Sequence, residues 1–137
     1  MVVVIVNDTV KNPVFEIFDI WKNQMQKAIP DIQVSYDPSA TMAKDKKKYA
    51  RLFMMGNPGS RWDLEGDECA TAPSIQIESC AIDPKGSEKA YKIDDVSHQI
   101  LTDLRFRRKN GPNLIANIDS RIKRVVSQYE RLYTGQL

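Results

Sequence analysis

Val14, Ile17, Phe18, Trp21, Met25, Ala28 and Ile29 recur at intervals of three and four, the period of one helix face. Asn12-Pro13 stands just before them. The asparagine suits an N-cap, and proline suits the first helical position, where its missing N–H costs nothing. Pro30 closes the run, so the spacing predicts one amphipathic helix. A second stripe of Ala90, Ile93, Val96, Ser97, Ile100, Leu101 and Leu104 predicts another, with Ser87 as its expected cap. Asp94, Asp95, His98 and Arg105 are expected on its opposite, solvated face.

Elsewhere the rhythm is that of strands. Val2 to Val6 is short and valine-rich, which favours a buried strand. Ile32, Val34 and Tyr36 alternate with Gln33 and Ser35, as in a half-buried strand. Tyr49 to Met55 is apolar on both faces, as expected of a central strand. A further strand is expected from Glu68 to Ile82, with Ile75, Ile77, Ser79 and Ala81 on one face and Gln76, Glu78 and Cys80 on the other. Pro73 within it points to an edge or a bulge. These two strands read as a hairpin, and residues 37–48 and 57–66 are expected to be flexible loops. Asn110-Gly111-Pro112 is a turn signal. From Ile118 to Tyr133 both helical and alternating spacings fit, so periodicity leaves that segment open.

The 137 residues are enough for one domain, and 42% apolar content can build a core without disulfides or metal. Twenty basic and 18 acidic residues leave a net charge of +2, which excludes a chain held on nucleic acid by bulk charge. That near-balance hides strong local asymmetry: residues 52–70 sum to −3 and residues 99–137 to +5. The apolar run at the start is shorter than the ~7–15 residues of a signal peptide and far short of the ~20 of a membrane span. The chain is therefore expected to be soluble and made in a cytoplasm, with Cys69 and Cys80 as unpaired thiols.

Catalytic chemistry finds little to work with. His98 is the sole histidine, and Ser97 beside it would point about 100° away on a helix. The acidic cluster Asp63, Glu65, Asp67 and Glu68 lacks the spacing of a calcium loop, since Gly66 falls at the fourth position and Ser74 at the twelfth. Gly56-Asn57-Pro58-Gly59 lacks the lysine of a phosphate loop. No enzyme activity, metal or cofactor is expected. Interaction chemistry is better represented. Arg61, Trp62 and Leu64 adjoin the acidic cluster, and aromatics with arginine are common interface anchors. Arg105, Arg107, Arg108 and Lys109 form one basic block, and Lys46, Lys47 and Lys48 another, suited to DNA or an acidic partner.

The order YARLFMMGNPGSRWDLEGDECATAPSIQIESCA, then AYKIDDVSHQILTDLRFRRKNGPNLIANID, then RIKRVVSQYERLYTG, resembles the tail terminator (tail completion) proteins of long-tailed phages and prophages of Gram-positive bacteria. These are often labelled minor capsid or head–tail joining proteins. The likeness runs from Asn7 to Tyr133 and is clearest at Leu64–Ser79, at Ile93–Leu104, and at Arg105-Phe106-Arg107-Arg108 with Gly111-Pro112. Arg105 stands where the family pattern implies glycine or another small residue.

The resemblance implies an α/β (α+β) fold over residues 1–137, a mainly antiparallel sheet with two helices on one face and a long hairpin loop. It also implies a final strand from Arg121 to Tyr133. By the same likeness the protein would be a virion component at the head–tail junction. There it would form a hexameric ring that caps the tail tube, stops its polymerisation and docks the head completion (stopper) protein. Its partners would be itself, the tail tube protein and that stopper, with no membrane and no specific nucleic acid beyond DNA passing through the ring. Complementary charge suggests that Asp63–Glu68 of one subunit faces Arg105–Lys109 of the next. A stopper, a tube subunit and a nucleic-acid-binding protein are the competing expectations.

Overall fold

The computed structural model describes residues 12–36, 47–62, 68–117 and 119–137, of which 60–62, 68 and 69 are described in backbone only. Helix α1 spans Val14–Ala28. Pro13 is the N-cap, one residue later than expected, and Asn12 before it accepts at Oδ1 from the Val14 N–H at 3.0 Å. Ile17, Trp21 and Met25 are fully buried, whereas Ala28, expected on the same face, is exposed. Strand β1 (Gln33–Ser35) follows, then β2 (Lys48–Gly56), β3 (Gly59–Trp62), β4 (Glu68–Thr71) and β5 (Ser74–Ile82). Helix α2 (Gly86–Asp103) leads to β6 (Arg107–Ile115) and β7 (Ile122–Glu130).

The main sheet has the order β1-β2-β5-β7-β6, and β3 pairs with β4 in a separate two-stranded sheet. All contacts in the main sheet are antiparallel except β1 on β2. The protein is thus an α+β single domain whose helices pack against the sheet. Ala50 and Leu52 of β2, Ile75, Ile77 and Ala81 of β5, and Val125 and Tyr129 of β7 meet Trp21, Met25, Ile93 and Leu101 in one core. Each large apolar side chain buried there contributes about 1.5–3 kcal/mol. Gln76, Glu78 and Cys80 occupy the other face of β5, as their alternation predicts. There the Glu78 carboxylate accepts from Arg51 at 3.1 Å and from Arg124 at 2.9 Å, joining three adjacent strands.

Several expectations are corrected. The strand expected from Glu68 to Ile82 breaks at Ala72-Pro73, and β5 is central rather than an edge. Proline lacks the N–H that a continuous ladder needs, and the Pro73 carbonyl instead accepts from Arg131 N–H. Within residues 57–66, expected as a loop, Gly59–Trp62 is strand, and Lys48 at the end of the other expected loop opens β2. Asn110-Gly111-Pro112 makes no turn between elements; it lies inside β6, where the register with β7 shifts. Gly111 there has φ +95, which glycine alone adopts without strain. The last strand covers Ile122–Glu130, shorter than the implied Arg121–Tyr133. Ser87 does not cap α2; Asp83 Oδ1 accepts from the Gly86 N–H at 3.0 Å. The expected strand Val2–Val6 and residues 37–46 lie outside the described residues.

Candidate partner interface

The register of the sheet defines two ends. Lys48 of β2, Ala81 of β5 and Lys123 of β7 are aligned at one end. Gly56, Ser74, Glu130 and Arg107 of β6 are aligned at the other. Helix α2 starts at the first end, where Gly86 packs against Ala81 and Lys123. It finishes at the second, where the Leu104 carbonyl accepts from Arg131 at 2.7 Å.

Around the second end the basic block is divided by strand alternation. Arg105 follows the last turn of α2 with φ +66, the left-handed conformation that helix ends reserve mostly for glycine. This is the position where the family pattern implied a small residue. Arg107 and Lys109 are exposed, while Arg108 between them turns inward. Arg105, Arg107, Lys109, Glu130, Arg131 and Leu132 line an open groove of about 280 Å³. Among the described residues, Arg105, Arg107 and Lys109 form no ion pair. Arg131 is held by its own chain, donating to the carbonyls of Leu104, Leu132 and Gln136. Burial and the charge of Arg105 lower its pKa. Four cations facing one carboxylate make this groove a receptor for negative charge.

Arg108 is not available to a partner. Its guanidinium donates to Asp94 Oδ2 at 2.7 Å, while Ser127 Oγ donates to Asp94 Oδ1, also at 2.7 Å. Asp94 is completely buried, which overturns its expected solvated position. Its spacing four residues after Ala90 and three before Ser97 puts it in the middle of the buried stripe. Burial raises its pKa, against the lowering effects of the Ser127 hydroxyl and of Arg108. His98, expected in solvent, is half-buried, with Nδ1 at 3.0 Å from the Tyr129 hydroxyl. Burial pushes that hydroxyl's pKa up to about 12. Trp21 Nε1 donates to Ser97 Oγ at 2.9 Å. These contacts join α1, α2, β6 and β7 through paired polar groups, with Arg108 Nε left without a hydrogen-bond partner.

At the first end, Ile29, Lys48, Lys89, Lys92, Ile93 and Val96 line a groove of about 300 Å³ with an apolar floor and a lysine rim. Lys48 pairs with Asp31 at 3.5 Å and Lys92 with Glu88 at 3.3 Å. The second pair is largely exposed and the first half-buried at Lys48, and exposed pairs contribute about 0.2–1 kcal/mol. Lys89 forms no ion pair among the described residues. Lys47 and Lys48 are therefore not part of the Arg105–Lys109 surface; they sit at opposite ends of the sheet. Sequence patterning missed Lys89 and Lys92 as site residues, because they fall within an ordinary charged helix face. Arg61, Trp62 and Glu68 belong to the β3–β4 hairpin by backbone, with Trp62 opposite Glu68. Asp63, Leu64, Glu65, Asp67 and Lys46 lie outside the described residues.

Among the described residues, no three His, Cys, Asp or Glu side chains are grouped to hold a metal ion. No helix among them is long and apolar enough to cross a membrane. No family model and no curated protein sequence matches the chain.

Proposed function

We propose that this protein is a structural assembly subunit, a tail terminator that caps a phage tail tube as a ring and presents a docking face for the head. The family resemblance of the sequence motivates the reading. The observation that carries it is the separation of two outward-facing cationic grooves to opposite ends of one sheet, while Arg108 between them is engaged internally by Asp94. A subunit that joins two different neighbours needs distinct patches at distinct ends, and a heterologous contact of that kind closes into rings.

Solution mass combined with negative-stain imaging tests the reading. A closed ring is the expected result, long tubes would assign a tube subunit instead, and a monomer at all concentrations would overturn the proposal. The four cations around the groove of Arg105 and Arg107 favour one second reading, a contact to a nucleic-acid backbone. That reading requires DNA affinity that falls steeply with salt in a gel-shift titration.

A further inference from the structure

The lysine-rimmed groove has a chemistry that one segment of this same chain matches. Its floor is Ile29, Ile93 and Val96, and its rim is Lys48, Lys89 and Lys92. A ligand that fills it must bring an apolar side chain flanked by carboxylates. Residues 62–68 read Trp-Asp-Leu-Glu-Gly-Asp-Glu, two large apolar residues among four acidic ones.

Topology decides whether that match is made within one copy or between two. The β3–β4 hairpin leaves the sheet at the Gly56/Ser74 end. Its base continues the sheet outward: Ser74 lies opposite Glu130, and Thr71, three residues on, still lies opposite Tyr133. The groove is at the Lys48 end of β2, roughly 27 Å away at about 3.3 Å per residue. The strands that flank the segment thus leave the sheet at one end of the subunit while the groove lies at the other. The Arg105–Lys109 surface, by contrast, lies at the same end as the hairpin. Pairing the acidic segment with that surface would offer its apolar side chains Leu132 alone among the lining residues and would set its carboxylates beside Glu130.

We infer that residues 62–68 of one copy dock into the groove of Ile29, Ile93, Val96, Lys48, Lys89 and Lys92 on a second copy. This inference rests on the reading of the protein as a self-assembling subunit, and it replaces the pairing expected from charge alone. It makes the contact heterologous, which closes into a ring where the rotation between copies permits. Trp62 or Leu64 supplies the apolar anchor, and the four carboxylates exchange with the exposed Asp31 and Glu88 at the lysine rim.

A fluorescein-labelled synthetic peptide of residues 61–70, with Ser in place of Cys69, titrated against the full chain tests this directly. Binding is expected that weakens in 0.5 M salt, at least tenfold in Lys89→Glu/Lys92→Glu, and less than twofold in Arg107→Glu/Lys109→Glu. A peptide carrying Asn and Gln for its four acids should not bind. Lys89→Gln/Lys92→Gln, which removes charge from the half-buried Lys89 and the exposed Lys92 without reversing it, should weaken binding while the far-UV spectrum stays unchanged. No binding by the wild-type chain overturns the inference, as does binding lost in the Arg107/Lys109 variant instead. A ring that forms equally well in Lys89→Glu/Lys92→Glu overturns the docking and leaves the assembly reading intact. A chain that binds the peptide as stated but stays monomeric overturns the assembly reading and supports the groove's recognition of the segment.

Discussion

Ser127 Oγ donates to the buried Asp94 carboxylate across 2.7 Å, bonding the middle of α2 to β7. Arg108 holds the second oxygen from the edge strand at the same distance. Removing one member of a buried charged set leaves the others desolvated and unpaired, which costs about 3–5 kcal/mol. Asp94→Ala is expected near the lower figure because Arg108 is partly exposed. Ser127→Ala keeps the ion pair and should cost about 1.5–3 kcal/mol. Urea unfolding of the two variants measures both values, and equal losses would contradict the arrangement.

The same carboxyl predicts a pH dependence. Burial raises its folded-state pKa above the ordinary 3.8, so the folded chain takes up this proton before the unfolded chain does. The stability it contributes therefore grows as pH falls through the folded value and is lost as pH rises through it. The difference in unfolding free energy between wild type and Asp94→Asn should move in favour of wild type as pH is lowered through the carboxylate range. It should be flat above that range. An opposite slope would show that the pair with Arg108 outweighs burial.

Gly111 has φ +95, and a Cβ there would lie 2.5 Å from the Val126 carbonyl oxygen and 2.8 Å from Ser127 Cα. Both obstacles are backbone of the paired strand, so neither can swing aside. Gly111→Ala is expected to destabilise by about 2–3 kcal/mol, combining left-handed strain with overpacking. Thermal unfolding of the variant checks this, and a change below 0.5 kcal/mol would mean that β6 can shift its register at no cost.

Arg131 donates to three carbonyls, one closing α2 and two in the last residues of the chain. Its side chain also stacks near Phe106 and Tyr133. Arg131→Ala should cost about 2 kcal/mol, and Arg131→Lys should recover little of it because an ammonium cannot span a planar fork of acceptors. Hydrogen exchange at Thr134–Leu137 should quicken in both variants.

Burial pushes the Cys80 thiol up to about 11, so the reactive thiolate is scarce at neutral pH. In a Cys69→Ser background, a thiol reagent at pH 8 should leave Cys80 unlabelled in the folded protein and label it fully in denaturant. Rapid labelling of the native chain would mean that this face of β5 opens.

Both helices were legible from a period of three and four, and the faces of β5 from a period of two. Each pattern reports one element burying one side, which needs no knowledge of its neighbours. The C-terminal segment was not legible this way, since Val125, Ser127 and Tyr129 alternate while Ile122, Val126 and Tyr129 also fit a helix. The burial of Asp94 was not legible, because an acidic side chain reads as part of the solvated face until its partners Arg108 and Ser127, on other elements, are known. A serine between two inward-facing residues of β7 was the available signal, for a buried hydroxyl needs an acceptor.

The sequence by itself determined both helices, the two faces of β5 and the charge asymmetry hidden under a net +2, because these depend on residues close together in the chain. Only the tertiary structure decided where the charges act. It turned Arg108 inward while leaving Arg107 and Lys109 outside, and gathered Lys48 with Lys89 and Lys92. It also set the base of the β3–β4 hairpin and the lysine-rimmed groove at opposite ends of the sheet. Those placements follow from strand order, register and the packing of α2, which bring together residues 14 positions apart at Arg108 and Asp94 and about 40 apart at Lys48 and Lys89, and no local pattern encodes such distances.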